Sequence, residues 1–311
     1  MTDVVIRTEG LAKDYGSRRA LAGLDLEVRR GEVFGFLGPN GAGKTTAIRI
    51  LLDLLRPTIG RAEVLGVAPT AGGPALRARI GYLPGELAMQ GRQTAGGVLR
   101  HAAALRGGGR DRIGPLAERF SLDLDRPIRG LSKGNKQKVG VVQAFMHQPE
   151  LLILDEPTSG LDPLLQREFH DLVAEARDAG ATVFMSSHVL SEIEDIAERV
   201  AIIRDGVVVD TDDVRTLRHR AGQTVELTFA DPVHADDFRD LAGVDDVVVD
   251  ATTLRCLLHG EPDGLLRAAT RASRVMHWSA EDRDLEDLFL DFYRSPSGAR
   301  TDIKEVPVDG R

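Results

Sequence analysis

The run Gly38-Pro39-Asn40-Gly41-Ala42-Gly43-Lys44-Thr45-Thr46 carries the first chemistry legible in the chain. It fits G-x-x-x-x-G-K-[ST], the phosphate-cradling P-loop. Glycines let such a backbone curl until successive N–H groups point at one spot, and a helix starting there adds positive partial charge. Lys44 would reach the terminal phosphates, the Thr45 hydroxyl would ligate a bridging Mg²⁺, and Thr46 would serve an inner phosphate. A second chemical pair is Asp155-Glu156, behind the apolar run Leu151-Leu152-Ile153-Leu154 and before Pro157. Asp155 suits the Mg²⁺ shell, and Glu156 can polarise a water for in-line attack.

These residues need particular elements behind them. Val33–Leu37 reads as a buried strand entering the loop. Ala47–Leu52 reads as the start of a helix that Pro57 and Gly60 end. Val4–Glu9 and the alternating Leu24–Val28 are strand-like, with Tyr15-Gly16 in a polar turn between them. Arg61–Leu65 and Ile80–Leu83 are further short strands. Residues 87–135 differ: Gly96-Gly97, Gly107-Gly108-Gly109 and helical runs at Val98–Leu105 and Ile113–Phe120 read as a helical insertion. The β pattern resumes at Leu151–Leu154, fully apolar as a central parallel strand should be. A helix with Leu165, Phe169, Leu172, Val173 and Ala176 on one face follows. Then come strand Ala181–Met185, a helix with Leu190, Ile193, Ile196 and Val200 on one side, and a hairpin over Ala201–Val209 turning at Asp205-Gly206. Alternating strands and helices indicate a doubly wound α/β core.

Composition shifts near residue 220, after the basic run Arg215–Arg220. Strands Val225–Phe229, Val247–Val249, Leu254–Leu258 and Val275–Trp278 are expected there, with helices near Asp236–Leu241, Gly264–Ala272 and Leu285–Tyr293. The organisation expected is therefore a core domain over 1–220, a small α+β domain over 221–294, and a polar, disordered tail over 295–311.

Of the 311 residues, 42% are hydrophobic and 28% charged, enough for a sizeable core. The net charge of −8 argues against nucleic-acid backbone binding. A single cysteine, Cys256, excludes an intrachain disulfide and a cysteine metal cluster, and its strand-like setting predicts a buried structural thiol. No stretch approaches the roughly 18 apolar residues of a membrane span, and no leader pattern is visible at the start. His101, His147, His170, His219, His234, His259 and His277 show no metal-ligand spacing. The Gly/Arg run Arg106–Arg112 lacks interleaved aromatics and reads as a flexible loop.

With Leu131-Ser132-Lys133-Gly134-Asn135, Ser159-Gly160-Leu161-Asp162 and His188 added in order, residues 1 to about 220 resemble an ABC-type ATPase subunit. The resemblance implies an α/β P-loop ABC core with a helical subdomain, and ATP and Mg²⁺ as cofactors. It implies that Tyr15 stacks on adenine, and that Ser132 and Gly134 face the γ-phosphate of ATP held by another subunit. Two chains, alike or related, would pair head to tail, with Asp162 crossing the interface. His188 would contact the γ-phosphate and keep the water and Glu156 in register. Lys133 and Asn135 depart from the commoner Leu-Ser-Gly-Gly-Gln. A second departure is Leu83-Pro84-Gly85-Glu86, where the family usually has a glutamine sensing Mg²⁺ and water after the proline. Gly85 has no side chain, so either Glu86 substitutes as a metal contact or the contact is absent.

The run Leu131–Lys138, with a C-terminal domain closing on Asp284–Phe289, resembles bacterial exporter subunits of the daunorubicin- and bacitracin-resistance type. That implies separate transmembrane permease subunits and a place on the cytoplasmic face of the membrane, with no nucleic acid expected. The alternative is a soluble ABC-type ATPase acting on nucleic acid or ribosomes. Relatives of that kind carry two cassettes, a long coiled coil or zinc cysteines, none of which is found.

Overall fold

A computed structural model describes residues 4–89 and 91–282. It divides into two compact units, Met1–Val214 and Arg215–Arg311. The helix expected over Leu285–Tyr293, the run Asp284–Phe289 and the tail from Ser295 lie outside the described residues.

The first unit is built on two sheets. Strands β1 (Val4–Tyr15) and β2 (Arg18–Arg29) pair antiparallel, and β1 also pairs antiparallel with β4 (Ile59–Val64). The larger sheet has the order β5 (Ile80–Leu83), β6 (Leu151–Asp155), β7 (Thr182–Ser187), β3 (Val33–Leu37), β8 (Arg199–Arg204), β9 (Val207–Asp213). Its first five strands run parallel, and β3, β6 and β7 are wholly buried, which is why they read as unbroken apolar runs. The β8–β9 pair is the expected hairpin, with Asp205 and Gly206 both at positive φ. Val5, Ile6, Leu24 and Val28 of the small sheet share one core with Phe34, Phe36, Ile153 and Phe184 of the large one, and Ile48 joins them. The Phe34 and Phe184 rings stack at 6.0 Å.

The helix after the loop, α1 (Lys44–Leu51), begins three residues earlier and ends earlier than the sequence suggested. Asp53 takes the left-handed conformation at φ 60°, the Asp53 N–H bonds Ile50 O, and the Leu54 N–H bonds Arg49 O. That is a Schellman stop on an aspartate, which a Gly/Pro rule overlooks. Gly60, taken as part of the stop, lies inside β4. The helix α2 (Pro69–Ala78) was not expected; its Gly72-Gly73-Pro74 kink hides it.

Between β5 and β6 the chain forms α3 (Ala95–Arg106), α4 (Ile113–Arg119) and α5 (Lys133–Phe145). Backbone bonds from Ala95 to Arg126 and from Ile128 to Gln93 tie its ends together. The helix α5 was not read from the sequence. After α6 (Pro163–Asp178), the helix α7 covers only Leu190–Glu194. Val200, expected on that helix, lies in β8 opposite Gly35, because the Glu198 N–H already bonds Val33 O and starts the ladder. Helix α8 spans Val214–Ala221.

In the second unit an antiparallel sheet has the order β11 (Val244–Asp250), β12 (Thr253–Leu258), β10 (Gln223–Phe229), β13 (Val275–Asp282). Val225, Leu227 and Phe229 alternate inward and pack with Leu265 and Ala269 of α9 (Asp263–Ala272). The helix expected near Asp236–Leu241 is a single 3₁₀ turn, Ala235–Asp237. Cys256 is buried in this core, and burial pushes its thiol up to about 11, as befits a structural residue.

Candidate functional site

The P-loop follows β3 and runs directly into α1. Gly43 is the N-cap at φ 113°, and no side chain caps the helix. A Cβ on Gly43 would stand 2.6 Å from Ala20 O, so the loop needs glycine there for room as well as conformation. Such an end leaves backbone N–H groups for an anion, aligned with the helix dipole. Lys44 is only 6% exposed, and its Nζ donates to Gly38 O at 2.5 Å and Pro39 O at 3.3 Å.

Strand β6 delivers the acids to the same place. Asp155 Oδ2 accepts the Thr45 hydroxyl at 2.9 Å, and Oδ1 accepts the Ser186 hydroxyl at 2.6 Å. Glu156 turns off the strand at φ 51°, a left-handed state costing about 1–2 kcal/mol for a residue with a Cβ. Its N–H bonds Ser186 O at 3.1 Å. One carboxylate then bridges two cations or potential cations. Oε1 lies 3.3 Å from Lys44 Nζ, and Oε2 lies 2.5 Å from His188 Nδ1. Burial, and then the charge on Asp155, push the Tyr82 phenol above its ordinary range.

An open cavity of about 350 Å³ is lined by Tyr15, Asn40, Gly41, Gly43, Lys44, Thr45, Thr46 and Glu156. Tyr15 is 46% exposed at the rim, with Lys13 Nζ 5.4 Å from its ring centroid. Arg18 also lines this cavity and was not marked from the sequence. Its guanidinium lies 3.7 Å from where a Cβ on Gly41 would stand. Its place just after the tyrosine turn was the only available signal.

Ser132, Gly134 and Asp162 are not among the residues lining that cavity. Ser132 is exposed and caps α5, accepting from the Asn135 N–H at 3.3 Å. Gly134 lies against Gly160, so close that a Cβ would be 2.5 Å from Gly160 O. Lys133 Nζ donates to Ser159 Oγ at 3.1 Å, which gives the unusual lysine a structural partner. Asp162 is exposed and caps α6, accepting from the N–H groups of Leu164 and Leu165. Position 85 faces the metal-side acid. A Cβ on Gly85 would stand 3.2 Å from Asp155 O and 3.6 Å from Asp155 Oδ2. Glu86 is exposed.

The donor set fits Mg²⁺: a threonine hydroxyl and a carboxylate in contact, both hard oxygens. Among the described residues no group of three or more His, Cys, Asp or Glu is placed to hold a metal.

Residues 21–159 match the family described as ABC transporter. The chain is 40% identical over 230 residues to the daunorubicin resistance ATP-binding protein of Streptomyces coeruleorubidus, covering 71% of this chain and 72% of the relative. It is 36% identical over 234 residues to the bacitracin transport ATP-binding protein of Bacillus licheniformis, covering 73% and 76%. Among solved structures it is similar to an ATP-binding subunit of an ABC transporter at TM-score 0.65 and 30% identity, covering 70% and 92%. A dimeric ATP-binding cassette in a post-hydrolysis state with ADP and Pi shares the fold at TM-score 0.60 and 22% identity, covering 68% and 99%.

Proposed function

The chain belongs to the ABC transporter ATP-binding family, and on that premise we propose that its ATP hydrolysis drives export of a drug-like or amphiphilic compound through separate permease subunits. The observation that carries the catalytic half is the Glu156 carboxylate held between Lys44 and His188 at the mouth of the loop cavity. ATP lies with adenine on Tyr15 and its phosphates along Gly38–Thr46. Lys44 leaves the carbonyls of Gly38 and Pro39 for the β- and γ-phosphates. Glu156 orients a water for in-line attack and takes its proton, while His188 fixes the carboxylate. Thr45 and Asp155 would hold Mg²⁺, which when bound neutralises charge on the β- and γ-phosphates.

Ser132 and Gly134 act on ATP held by a second chain, alike or related, paired head to tail, and Asp162 lies at that interface. Support comes from their absence from the lining of the loop cavity and, among the described residues, from the lack of any contact to it such as Asp155 and His188 make. No helix among the described residues is long and apolar enough to cross a membrane. The chain then works at the cytoplasmic face of the membrane, held there by the permease. Relatives named for daunorubicin and bacitracin support the exporter reading.

Affinity capture of the tagged chain from detergent-extracted membranes tests this. A membrane-spanning partner should be recovered, and ATP turnover of that complex should rise with the transported compound. Recovery only as an unpartnered soluble chain would overturn the coupling role.

A further inference from the structure

The ladder joining β6 to β7 ends at the pair Asp155 and Ser186, yet Glu156 and His188 both lie beyond it. Glu192, on α7, bridges the two chain segments past that point. Thr158 Oγ1 donates to Glu192 Oε1 at 2.6 Å, and Ser187 Oγ donates to Glu192 Oε2 at 2.6 Å. Thr158 is 1% exposed and Ser187 fully buried. Thr158 comes two residues after Glu156, and Ser187 immediately precedes His188. Ser187 Oγ also accepts the Val189 N–H at 2.9 Å, closing the backbone around the histidine.

We propose that Glu192 is a positioning residue that sets the register of Glu156 against His188 by holding Thr158 and Ser187 on its two carboxylate oxygens. The inference rests on Glu156 and His188 being the water-handling pair. A carboxylate is an acceptor with two oxygens, so it takes both hydroxyl protons at once. The 2.6 Å separations are those of charge-assisted O–H···O⁻ bonds, about twice as strong as neutral ones. From the other side, Gln137 Nε2 donates to Pro157 O at 2.7 Å, so the segment after Glu156 is held on two flanks. Without the bridge the register of the two turns rests on the bond from the Glu156 N–H to Ser186 O and on the Glu156–His188 contact itself, and a displacement of about 1 Å at reacting groups can cost on the order of 100-fold in rate.

The test uses the purified full chain with Glu192→Ala, Glu192→Gln, Ser187→Ala, Glu156→Gln and His188→Ala. Glu192→Ala should lower kcat by about 10- to 100-fold while ATP KM stays within about twofold. Glu192→Gln, which keeps the shape and one acceptor oxygen, should recover most of the turnover. The ring-nitrogen NMR resonances of His188 should shift in Glu192→Ala and return in Glu192→Gln. Ser187→Ala combined with Glu192→Ala should cost less than the sum of the two, because they share one interaction. A Glu192→Ala chain with parental kcat, or with unshifted His188 resonances, would overturn the proposal. So would a loss that follows KM and thermal midpoint together, or one that Glu192→Gln fails to reduce. Parental turnover in Glu156→Gln and His188→Ala would instead remove the underlying pair assignment.

Discussion

Two regions of the first unit carry the family's nucleotide residues, and they are built differently. Around the P-loop, the loop after β3, the start of α1 and Glu156 just past β6 line one cavity, and Thr45–Asp155, Lys44–Glu156 and Glu156–His188 contacts tie that wall to the end of β6 and the turn after β7. At the signature loop, Ser132, Gly134 and Asp162 face no such cavity and spend their polar groups locally: two cap helices and one packs on Gly160. The first region is a preorganised site, with the charge of a nearly buried lysine matched by a strained glutamate. The second presents its groups at two helix starts, apart from the lining of the loop cavity. That asymmetry suits the composite site, shared by two chains, proposed above.

The largest effect that could break the comparison is loss of the lysine. Lys44→Ala should weaken ATP binding on the order of 100-fold or more, since truncating a desolvated charge partner costs about 2–5 kcal/mol. Fluorescent-nucleotide titration measures it, and near-parental affinity would leave the cavity without its phosphate anchor. Glu156→Gln should keep ATP affinity but lower kcat by about 10²- to 10⁴-fold, because an amide is a poor acceptor for the water's proton. Ser132→Arg sharpens the contrast. A single chain should bind ATP with parental affinity, while turnover falls because the surface serves the partner's nucleotide. A matching fall in affinity would place Ser132 in its own chain's site.

Smaller effects separate the metal side from its surroundings. Since position 85 faces Asp155 and Glu86 is exposed, Glu86→Ala should leave the Mg²⁺ requirement of hydrolysis unchanged. A raised requirement would assign Glu86 to the metal after all. The mildest prediction concerns the region after α5. His147 is held down to about 4, first by burial and next by the Arg106 guanidinium 2.9 Å away, against an ordinary 6.5. The unfolded chain therefore takes up the proton first, so stability is full above about pH 6.5 and falls towards pH 4. Urea midpoints across that range should decline less in His147→Gln.

Much of this was legible because motif spacing and buried strands are local signals. Val33–Leu37 and Leu151–Leu154 read as central strands because both their faces are covered. Lys44 stood in the loop after one predicted strand, and Asp155 and Glu156 at the end of another. The misses have physical causes too. Helix α1 stops at Asp53 in a left-handed conformation, which tertiary context permits and residue statistics do not announce. Val200 keeps helical spacing with Ile193 and Ile196, but pairing with β3 takes it into a strand. Helix α2 hides behind Gly72-Gly73-Pro74. Arg18 and Glu192 belong to no motif, and only the folded chain brings one over the P-loop and the other between Thr158 and Ser187.

The claim that the two regions are halves of one site is tested most directly by light scattering on Glu156→Gln. With saturating ATP and Mg²⁺ the mass should double from one chain to two, return to one chain with ADP, and fail to double when Ser132→Arg is added. A chain that stays monomeric at saturating ATP, or that dimerises equally with the signature loop blocked, would contradict the account.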